Sequence, residues 1–524
     1  MSIGRRRCGG SGARALEIEI LIVGAGFAGL GMGIRLRQAG LDNFLILEQS
    51  AGLGGTWYDN RYPGAACDVP SHLYSYSFEN NPNWTRDYGS QREILGYLER
   101  CADKYGVRPH MRFRRKVVSA RFDEERGVWS VQTEDGRTYT ARVLIASCGS
   151  LSIPAYPQLP GMSTFQGPLF HTARWRADAA LEGKRVAVIG TGASAVQIVP
   201  ELVKRAQKVS VFQRTASWVL PKLDGPIDEA RRARFAAHPW LQTLARRWRY
   251  WQLEAIAPTL TGRPGFMGIG RLMEGHALRY LASQVRDPAL RAKLTPQHRV
   301  GCKRILLSNE YFSALQQPNA ELVTSPIREL TPGGIVTEDG AEHGFDAIVF
   351  ATGFNAAETY APFPLRGRGG EELTDRWKQG AEAYLGTTVS GFPNFFMLGG
   401  PNTSLGHSSV VFMVEAQVAY ILDAVRVLRA RGLKSLDVQR ATQDEFNESL
   451  GKRLSQTVWA RGGCCSWYQT RSGRITTLWP GFTFEYRLRT RKFDAHNYDL
   501  EPMPRREPAV RSAAGRQIRP GLLS

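Results

Sequence analysis

The sequence contains few cysteines, and none of them are arranged as a redox-active dithiol. Only seven of its 524 residues are cysteine, and no two cysteines enclose a pair of residues. This excludes a disulfide-stapled scaffold, favours a reducing compartment and counts against a disulfide reductase. Because adjacent cysteines rarely bridge each other, we expect Cys464 and Cys465 to be small, buried apolar side chains.

Long apolar runs are also missing. The longest, residues 20–34, is too short to cross a bilayer and is interrupted by five glycines. Reading residues 5–34 as a secretion signal would require cleavage that removes the first glycine-rich turn of the chain. We therefore predict a cytoplasmic protein.

Acidic residues are fewer than basic ones, 48 against 68, which gives a net charge of +20. Eight of these charges come from residues 1–16 and 505–524, in segments that we expect to be disordered tails. Zinc-finger spacings and RNA-binding aromatic motifs are absent, so we predict neither a nucleic-acid partner nor a metal site. A hydrophobic share of 43% and a charged share of 22% are typical of a globular protein, here long enough for two or three domains.

Two glycine turns each follow a short apolar run and precede a helical pattern. The first contains Gly24, Gly26 and Gly29, and the second contains Gly190 and Gly192. Such a turn between a parallel strand and a helix lets backbone N–H groups approach a pyrophosphate. One turn alone could be purely structural, but two predict an α/β fold with two Rossmann-like dinucleotide-binding domains.

The residue that follows each turn at the same distance indicates which dinucleotide binds there. Glu48 lies 24 residues after Gly24, where a carboxylate accepts from a ribose 2′-OH, as in FAD. Arg214 lies 24 residues after Gly190, where a cation suits the 2′-phosphate of NADPH. Taken singly, each could be an ordinary charge at a strand end. The matched spacing favours FAD at the first site and NADPH at the second.

These features divide the chain into parts that alternate between the two domains. The FAD domain is interrupted by the NADPH domain, which is itself interrupted by a helical insertion. The predicted parts are a tail (1–16), the FAD domain's first part (17–164), the linker and the NADPH domain's first part (165–221), the helical insertion (222–300), the NADPH domain's second part (301–352), the FAD domain's second part with a closing segment (353–500), and a tail (501–524).

Within the insertion, residues 238–252 are both basic and aromatic. This composition raises the question of binding to a membrane surface. A helix that lines the substrate pocket is the simpler interpretation, so we do not expect membrane contact.

A loop and a linker carry a resemblance to a known family. Residues 54–68 read G-G-T-W-Y-D-N-R-Y-P-G-A-A-C-D, and Phe165, Gly167, His171 and Trp175 form the pattern F-x-G-x-x-x-H-x-x-x-W. Both resemble the FAD- and NADPH-dependent Baeyer–Villiger monooxygenases, and the resemblance covers about residues 17–490. Two departures are Ala66, where relatives often carry arginine, and Arg176, which replaces the usual proline or aspartate.

The resemblance implies an enzyme in which NADPH reduces FAD, O2 adds at the flavin C4a atom, and the peroxide inserts oxygen into a ketone to give an ester. Two alternatives remain: a flavin monooxygenase that hydroxylates nitrogen or sulfur, and an oxidase that releases peroxide. Trp175 and Arg304 favour the first activity. The substrate would be a small ketone, sulfide or amine together with O2, and the oligomeric state is left open.

The resemblance also implies roles for individual residues. Arg304 would be the catalytic cation and Asp68 the acid that holds it. His171 is the third predicted catalytic residue, with a role in coupling domain motion and not in proton transfer; a histidine satisfied in the core is an equal alternative. Lys303 would join Arg214 and Thr215 at the 2′-phosphate. The predicted cofactor-binding residues are Gly24, Gly26, Phe27, Ala28, Gly29, Glu48, Gly55, Thr56, Trp57, Asp68, Tyr74, Val117, Gly190, Thr191, Gly192, Ala193, Ser194, Ala195, Gln197, Arg214, Thr215, Lys303, Arg304, Asn402 and Trp467.

Overall fold

A computed structural model describes residues 17–263, 265–356, 360–470 and 472–504. The predicted N-terminal tail and residues 505–524 of the predicted C-terminal tail lie outside these ranges. The described strands are β1 Glu17–Val23, β2 Phe44–Leu47, β3 Met111–Arg112, β4 Val117–Asp123, β5 Val128–Thr133, β6 Thr138–Ala146, β7 Leu169–His171, β8 Arg185–Ile189, β9 Lys208–Phe212, β10 Val219–Leu220, β11 Leu306–Leu307, β12 Ala320–Val323, β13 Ile327–Thr331, β14 Gly334–Thr337, β15 Glu342–Gly344, β16 Ala347–Phe350, β17 Leu365–Arg366, β18 Phe395–Met397, β19 Leu433–Val438 and β20 Tyr498–Pro502.

Helices alternate with these strands and are gathered most densely between β10 and β11. The described α-helices are α1 Phe27–Gln38, α2 Thr56–Asp59, α3 Gln91–Lys104, α4 Ala193–Val203, α5 Glu229–Ala237, α6 Pro239–Glu254, α7 Ala257–Leu260, α8 Met267–Gln284, α9 Pro288–Leu294, α10 Tyr311–Ala314, α11 Leu373–Arg376, α12 Val410–Ala430, α13 Arg440–Leu454, α14 Val458–Arg461 and α15 Thr483–Arg489.

The first sheet runs in the order β17-β4-β5-β6-β1-β2-β3, with β18 also paired to β6. Its centre is parallel: β1 lies between β2 and β6, and Ile22 pairs in register with Ile46 and Ile145. These isoleucines are fully buried because α1 and α12 cover one face of the sheet. A strand buried on both faces reads as a continuous apolar run, which explains the pattern at residues 20–23.

The second sheet runs in the order β12-β9-β8-β16-β7 and is parallel throughout. Its edge strand β7 comes from the predicted linker, and its Phe170 and His171 pair with Val349 and Phe350 of β16. The linker is therefore part of the second sheet and not a free connection. The two sheets confirm the predicted α/β class with two dinucleotide-binding units.

The chain segment that enters the second sheet lies beside the segment that leaves it. We call these two segments the crossings. Ala155 donates its backbone N–H to the Gly353 carbonyl (2.9 Å), and Asn355 donates to the Ile153 carbonyl (3.0 Å). The Thr352 hydroxyl adds a bond to the Ala155 carbonyl (2.6 Å). This short antiparallel contact fixes the two crossings to each other.

The segment predicted as a helical insertion contains helices α5 to α9. The buried residues of α6 are Gln242, Arg246 and Glu254. The Trp240 and Trp248 side chains are 63% and 65% exposed and face solvent. Among the described residues, no helix is long and apolar enough to cross a membrane.

Two expectations are corrected. The tail predicted from residue 501 begins too early, because β20 extends to Pro502 and pairs antiparallel with β19. Cys464 is not a buried free thiol: it forms a disulfide with Cys302, with their Cα atoms 6.1 Å apart. Cys465 is exposed and free. The spacing of cysteines could not show a bond between residues 162 positions apart.

We expect peptide mapping of the purified protein without reductant to find the peptides of Cys302 and Cys464 joined. Cys464→Ser should release them and lower the stability by about 2–4 kcal/mol, because the bond closes a long loop. Cys465→Ser is the matched control and should keep the link. A map in which Cys465 is linked, or in which both peptides are free, would contradict the pairing.

Candidate active site

The first glycine turn is a cradle that side chains would block. Gly24 has φ = +106°, and a Cβ atom there would lie 2.6 Å from the Ser147 carbonyl oxygen. A Cβ on Gly29 would lie 1.9 Å from the Gly24 carbonyl oxygen, so helix α1 can approach β1 only with glycine at this position. Gly26 lies close to Gly55 of the loop formed by residues 54–68, which we call the flavin-facing loop. A Cβ atom on Gly55 would lie 3.1 Å from the Gly26 Cα, so a side chain there would crowd the start of α1.

The start of α1 leaves its backbone donors free for a ligand. Its N-cap, Gly26, makes no side-chain capping bond, and Phe27 and Ala28 follow as the first helical residues. Unpaired N–H groups at a helix N-terminus favour an anion. Glu48 stands at the end of β2, buried, and accepts from the backbone N–H groups of Ala25 (2.8 Å) and Ser50 (2.7 Å). Its position beside this turn agrees with the predicted ribose contact.

The flavin-facing loop is tied to α1 through packed aromatic side chains. Trp57, in α2 with Thr56, is buried and donates its indole N–H to the Tyr74 hydroxyl (3.1 Å). Tyr74 in turn meets the ring of Phe27 edge-on at 5.0 Å. Burial raises the pKa of Tyr74, so its hydroxyl stays protonated. The loop therefore presents fixed aromatic walls beside the cradle.

Beside Glu48, a cavity of about 450 Å³ lies between the first sheet and the linker. Its walls include Ser50, Arg114 and Lys116 on one side and Arg174 and Trp175 on the other. The buried start of β4, Val117, follows directly after Lys116. A polar, cationic cavity of this size at the end of β2 suits the adenosine half of FAD.

At the opposite end of the predicted flavin site, the N-terminus of α12 is uncapped. Its N-cap is Ser409, whose side-chain oxygen, like that of Ser408, is buried without a partner among the described residues. The N-terminus of this 21-residue helix suits the polar edge of the flavin ring, which gains negative charge on reduction. Asn402 contributes differently, because its side-chain amide donates to the carbonyls of Ile475 and Leu478. Its backbone N–H also donates to the Thr476 carbonyl (2.9 Å), so Asn402 holds residues 475–478 through both groups.

The second glycine turn repeats the geometry of the first. Gly190 has φ = +116°, and a Cβ atom there would lie 2.4 Å from the Ala351 carbonyl oxygen. Gly192 is the N-cap of α4, with no side-chain bond, and nothing lies near the position of an added Cβ. The first turn of α4, with Ala193, Ser194 and Ala195, then points free N–H groups outward. Thr191 donates its hydroxyl to the Thr215 carbonyl (2.9 Å) and joins this turn to the end of β9.

Arg214 and Lys303 lie close enough to repel each other. Burial and then the charge of Arg214 lower the pKa of Lys303. Neither cation has a carboxylate partner among the described residues. Two neighbouring unpaired cations need an anion between them, and a 2′-phosphate with two negative charges fits.

Gln197, in helix α4, makes side-chain hydrogen bonds to the flavin-facing loop of the other unit. It accepts from the Tyr62 hydroxyl (2.8 Å) and donates to the Ala66 carbonyl (2.9 Å), both on the flavin-facing loop. It therefore locks α4 of one unit onto the other. Of the two departures from the family pattern, Ala66 thus contributes its backbone carbonyl, and Arg176 forms an exposed pair with Asp178 (2.6 Å).

Arg304 and Asp68 form a two-pronged ion pair between the units. The guanidinium Nε and one terminal nitrogen donate to the two Asp68 oxygens at 2.5 and 2.8 Å, and the other terminal nitrogen donates to the Leu405 carbonyl at 3.3 Å. Burial alone would raise the pKa of Asp68, but Arg304 holds it below its usual value. Burial likewise opposes the charge of Arg304, yet Asp68 raises its pKa. Both groups stay charged at any working pH.

The sequence alone did not identify one neighbour of this pair, Tyr468. Tyr468 is buried, its hydroxyl has no partner among the described residues, and burial raises its pKa to about 12 even though Arg304 acts to lower it. Its ring lies 4.5 Å from that of the predicted Trp467, which is 39% exposed. The only sequence signal was its place directly after Trp467.

His171 lies where the two chain crossings meet and is fully buried. Its ring contacts those of Tyr156 (5.5 Å) and Phe354 (5.6 Å), one from each crossing, and its Nδ1 accepts from the Ala173 N–H (3.1 Å). Burial lowers its pKa to about 4, with the Gly353 backbone acting in the opposite direction. The imidazole is neutral at physiological pH.

Comparison with known proteins agrees with this geometry. Residues 21–225 match the family model described as pyridine nucleotide-disulphide oxidoreductase. A Baeyer–Villiger monooxygenase of Pseudomonas aeruginosa is 47% identical over 493 residues, which cover 94% of this chain and 93% of that protein.

Solved structures show the same fold. Cyclohexanone monooxygenase from Rhodococcus sp. Phi1 bound to NADP+ has a TM-score of 0.84 and 29% identity. The OTEMO complex with FAD and NADP has a TM-score of 0.83 and 29% identity. Each comparison covers 93% of this chain and all of the other. The predicted enzyme class and both cofactors are confirmed, and the chain belongs to the Baeyer–Villiger monooxygenases.

Proposed function

We propose that this enzyme converts a ketone to an ester, or a cyclic ketone to a lactone, and that Arg304 stabilises the negative charge formed at the substrate oxygen. The observation that supports this is the Arg304–Asp68 pair at the junction of the two dinucleotide units. The bound cofactors supply hydride transfer and oxygen activation, which no side chain here provides. The protein's own contribution is positioning and electrostatics.

Arg304 retains the donors that this role needs. Of the five N–H donors of a guanidinium, three are bound to Asp68 and Leu405, which leaves two for a substrate. The side chain is 28% exposed, so it is accessible from the junction although its surroundings are largely dry. A fixed cation in a site of low dielectric stabilises a developing oxyanion without reorganisation.

Asp68 serves as the group that orients Arg304. Its two oxygens fix the plane of the guanidinium, and its pKa below the usual value keeps it a carboxylate. The unpartnered hydroxyl of Tyr468 offers a third polar contact beside them. We propose that this hydroxyl faces the substrate or the nicotinamide end of NADPH.

The identity of the ketone follows from the relatives only as a class. The Rhodococcus structure is named as a cyclohexanone monooxygenase, so cyclic ketones are the first substrates to test. We propose a cytoplasmic location because the enzyme consumes NADPH.

Replacing Arg304 tests the central role. Arg304→Ala should keep bound, yellow flavin but lower the rate of ester formation by about 10²–10³, as loss of an oxyanion donor does. The matched control is Arg453→Ala, because Arg453 forms an equally buried two-pronged pair with Glu485 (2.8 and 2.9 Å) away from the junction. The measurement is ester yield by mass spectrometry. Normal ester formation by Arg304→Ala would disprove the role.

Replacing Arg214 tests the choice of NADPH. Arg214→Ala should raise the KM for NADPH by about one to two orders of magnitude and leave that for NADH unchanged, because one charge-assisted contact with the 2′-phosphate is lost. Lys208→Ala is the control, since Lys208 lies at the other end of the same strand and pairs with Glu321. An unchanged preference between the two nucleotides would refute the assignment.

We propose that His171 is a positioning residue that joins the two crossings, and not a proton donor. Because its pKa falls from 6.5 to about 4 on folding, the unfolded chain binds a proton that the folded chain excludes. Stability should therefore fall as the pH drops from 6.5 to 4, by up to about 3 kcal/mol from this residue.

Thermal unfolding followed across this pH range measures the effect. His171→Asn should show a shallower loss of stability towards acid than the wild type. The exposed His238 provides the control, and His238→Asn should behave as the wild type. An unchanged pH dependence in His171→Asn would show that the imidazole is not buried in its neutral form.

A further inference from the structure

The inward side of helix α6 carries three buried polar side chains, next to the partly buried Tyr250 and Leu253 that pack against the core. Arg246 donates to the carbonyls of His72 and Ser75, both at 2.9 Å, and Gln242 donates to the Asn81 carbonyl (2.6 Å). Near its end, Glu254 accepts from the hydroxyl (2.7 Å) and backbone N–H (3.0 Å) of Thr483. These buried, charged bonds fix the rotation of the helix about its axis.

The outward side of α6 is correspondingly apolar. Trp240, Leu244, Trp248 and Trp251 are each 57–65% exposed. At 3.6 residues per turn they fall within an arc of about 80° on one face. A surface helix of a globular protein normally shows the opposite arrangement, so this face is built to meet something other than water.

Helix α15 extends this face. The ring of Phe484 lies 6.1 Å from that of Trp251, and Leu488, one turn further along, is 65% exposed. Thr483 and Glu254 join the two helices by the bonds described above. We call the six exposed apolar residues the aromatic face; they are Trp240, Leu244, Trp248, Trp251, Phe484 and Leu488.

Cations border the aromatic face. Five exposed basic residues lie on α6 or on α15 and the residues that follow it: Arg247, Arg487, Arg489, Arg491 and Lys492. Among the described residues, only Arg489 has a carboxylate partner, Glu485, at 3.7 Å. The border thus has a surplus of positive charge that no described side chain neutralises.

We propose that the aromatic face docks on the surface of an anionic phospholipid membrane. Tryptophan rings lie stably at the headgroup level, where one part of the ring is apolar and the N–H is hydrated. Arginine and lysine beside them attract anionic lipid headgroups. The helix would lie in the plane of the membrane, which requires no spanning segment.

The charge distribution favours an anionic membrane over a second copy of the chain as the partner of the aromatic face. A symmetric dimer through the aromatic face would bring the two basic borders together, and like charges facing each other across an interface are unfavourable. A membrane with anionic headgroups pairs with the same border. The expectation against membrane contact rested on a helical insertion that lines the substrate pocket, whereas the tryptophan side chains of α6 are on the outside.

Co-sedimentation of the FAD-loaded enzyme with vesicles tests the proposal. One set contains equal parts phosphatidylglycerol and phosphatidylcholine, and the other contains phosphatidylcholine alone. The wild type should bind the anionic vesicles at least about tenfold more strongly, and added salt should weaken this binding. Tryptophan emission should shift to the blue on binding, because the rings leave water.

Two variants separate the apolar and the charged contributions. Trp240→Ser/Trp248→Ser should lower the bound fraction on anionic vesicles about tenfold, and Arg491→Glu/Lys492→Glu should abolish the preference for them. Leu223→Ser changes an equally exposed apolar residue outside these helices (72%), and Arg121→Glu/Arg137→Glu makes the same charge change on the β4–β6 hairpins. Both controls should bind as the wild type. Flavin absorbance and melting temperature confirm that every variant is folded.

Three results would overturn the proposal. The wild type could fail to sediment with anionic vesicles, or the double tryptophan variant could bind as strongly as the wild type. Alternatively, sedimentation velocity without lipid could find a dimer that Trp240→Ser/Trp248→Ser converts to monomer, which would make the aromatic face an interface between copies. Ester formation in solution is independent of all three, so these results leave the proposed function untouched.

Discussion

The ion pair between Arg304 and Asp68 is the constraint that organises the structure. Its cation belongs to the segment that returns from the helical insertion, and its carboxylate belongs to the flavin-facing loop. Three consecutive residues make three different connections at this point: Cys302 bonds to the closing segment, Lys303 faces Arg214, and Arg304 holds Asp68. The junction of the two dinucleotide units therefore has a fixed positive charge at its centre.

Both glycine turns have a backbone geometry that suits an anion. Each has a glycine with positive φ at the strand end, where a side chain would strike a backbone carbonyl, and an uncapped helix behind it. Their difference lies at the ends of β2 and β9, where the first has a buried carboxylate and the second an exposed arginine. The residue at the end of one strand in each unit thus distinguishes the predicted FAD site from the predicted NADPH site, although both units have the same fold.

The sequence predicted the parts of the site that depend on local order. Glycine turns, strand ends and the loop containing Asp68 are short-range patterns, and both glycine turns lie between a strand and a helix. The Cys302–Cys464 bond, the hydroxyl of Tyr468 beside Arg304 and the bridge from Gln197 to Tyr62 depend on contacts between distant segments. Helix α6 shows a second limit: its periodicity locates a stripe of tryptophans but cannot say whether that stripe turns inward, which buried partners of Arg246 decide.

Isotope labelling tests the central claim most directly. The purified enzyme, supplied with NADPH, ¹⁸O2 and a cyclic ketone, should yield a lactone that carries one ¹⁸O atom, with one NADPH consumed for each lactone formed. This result would show that the inserted oxygen atom comes from O2 in a reaction that consumes NADPH. If NADPH is consumed across a panel of ketones while only labelled hydrogen peroxide appears, the account of the site as a ketone oxygenase is wrong.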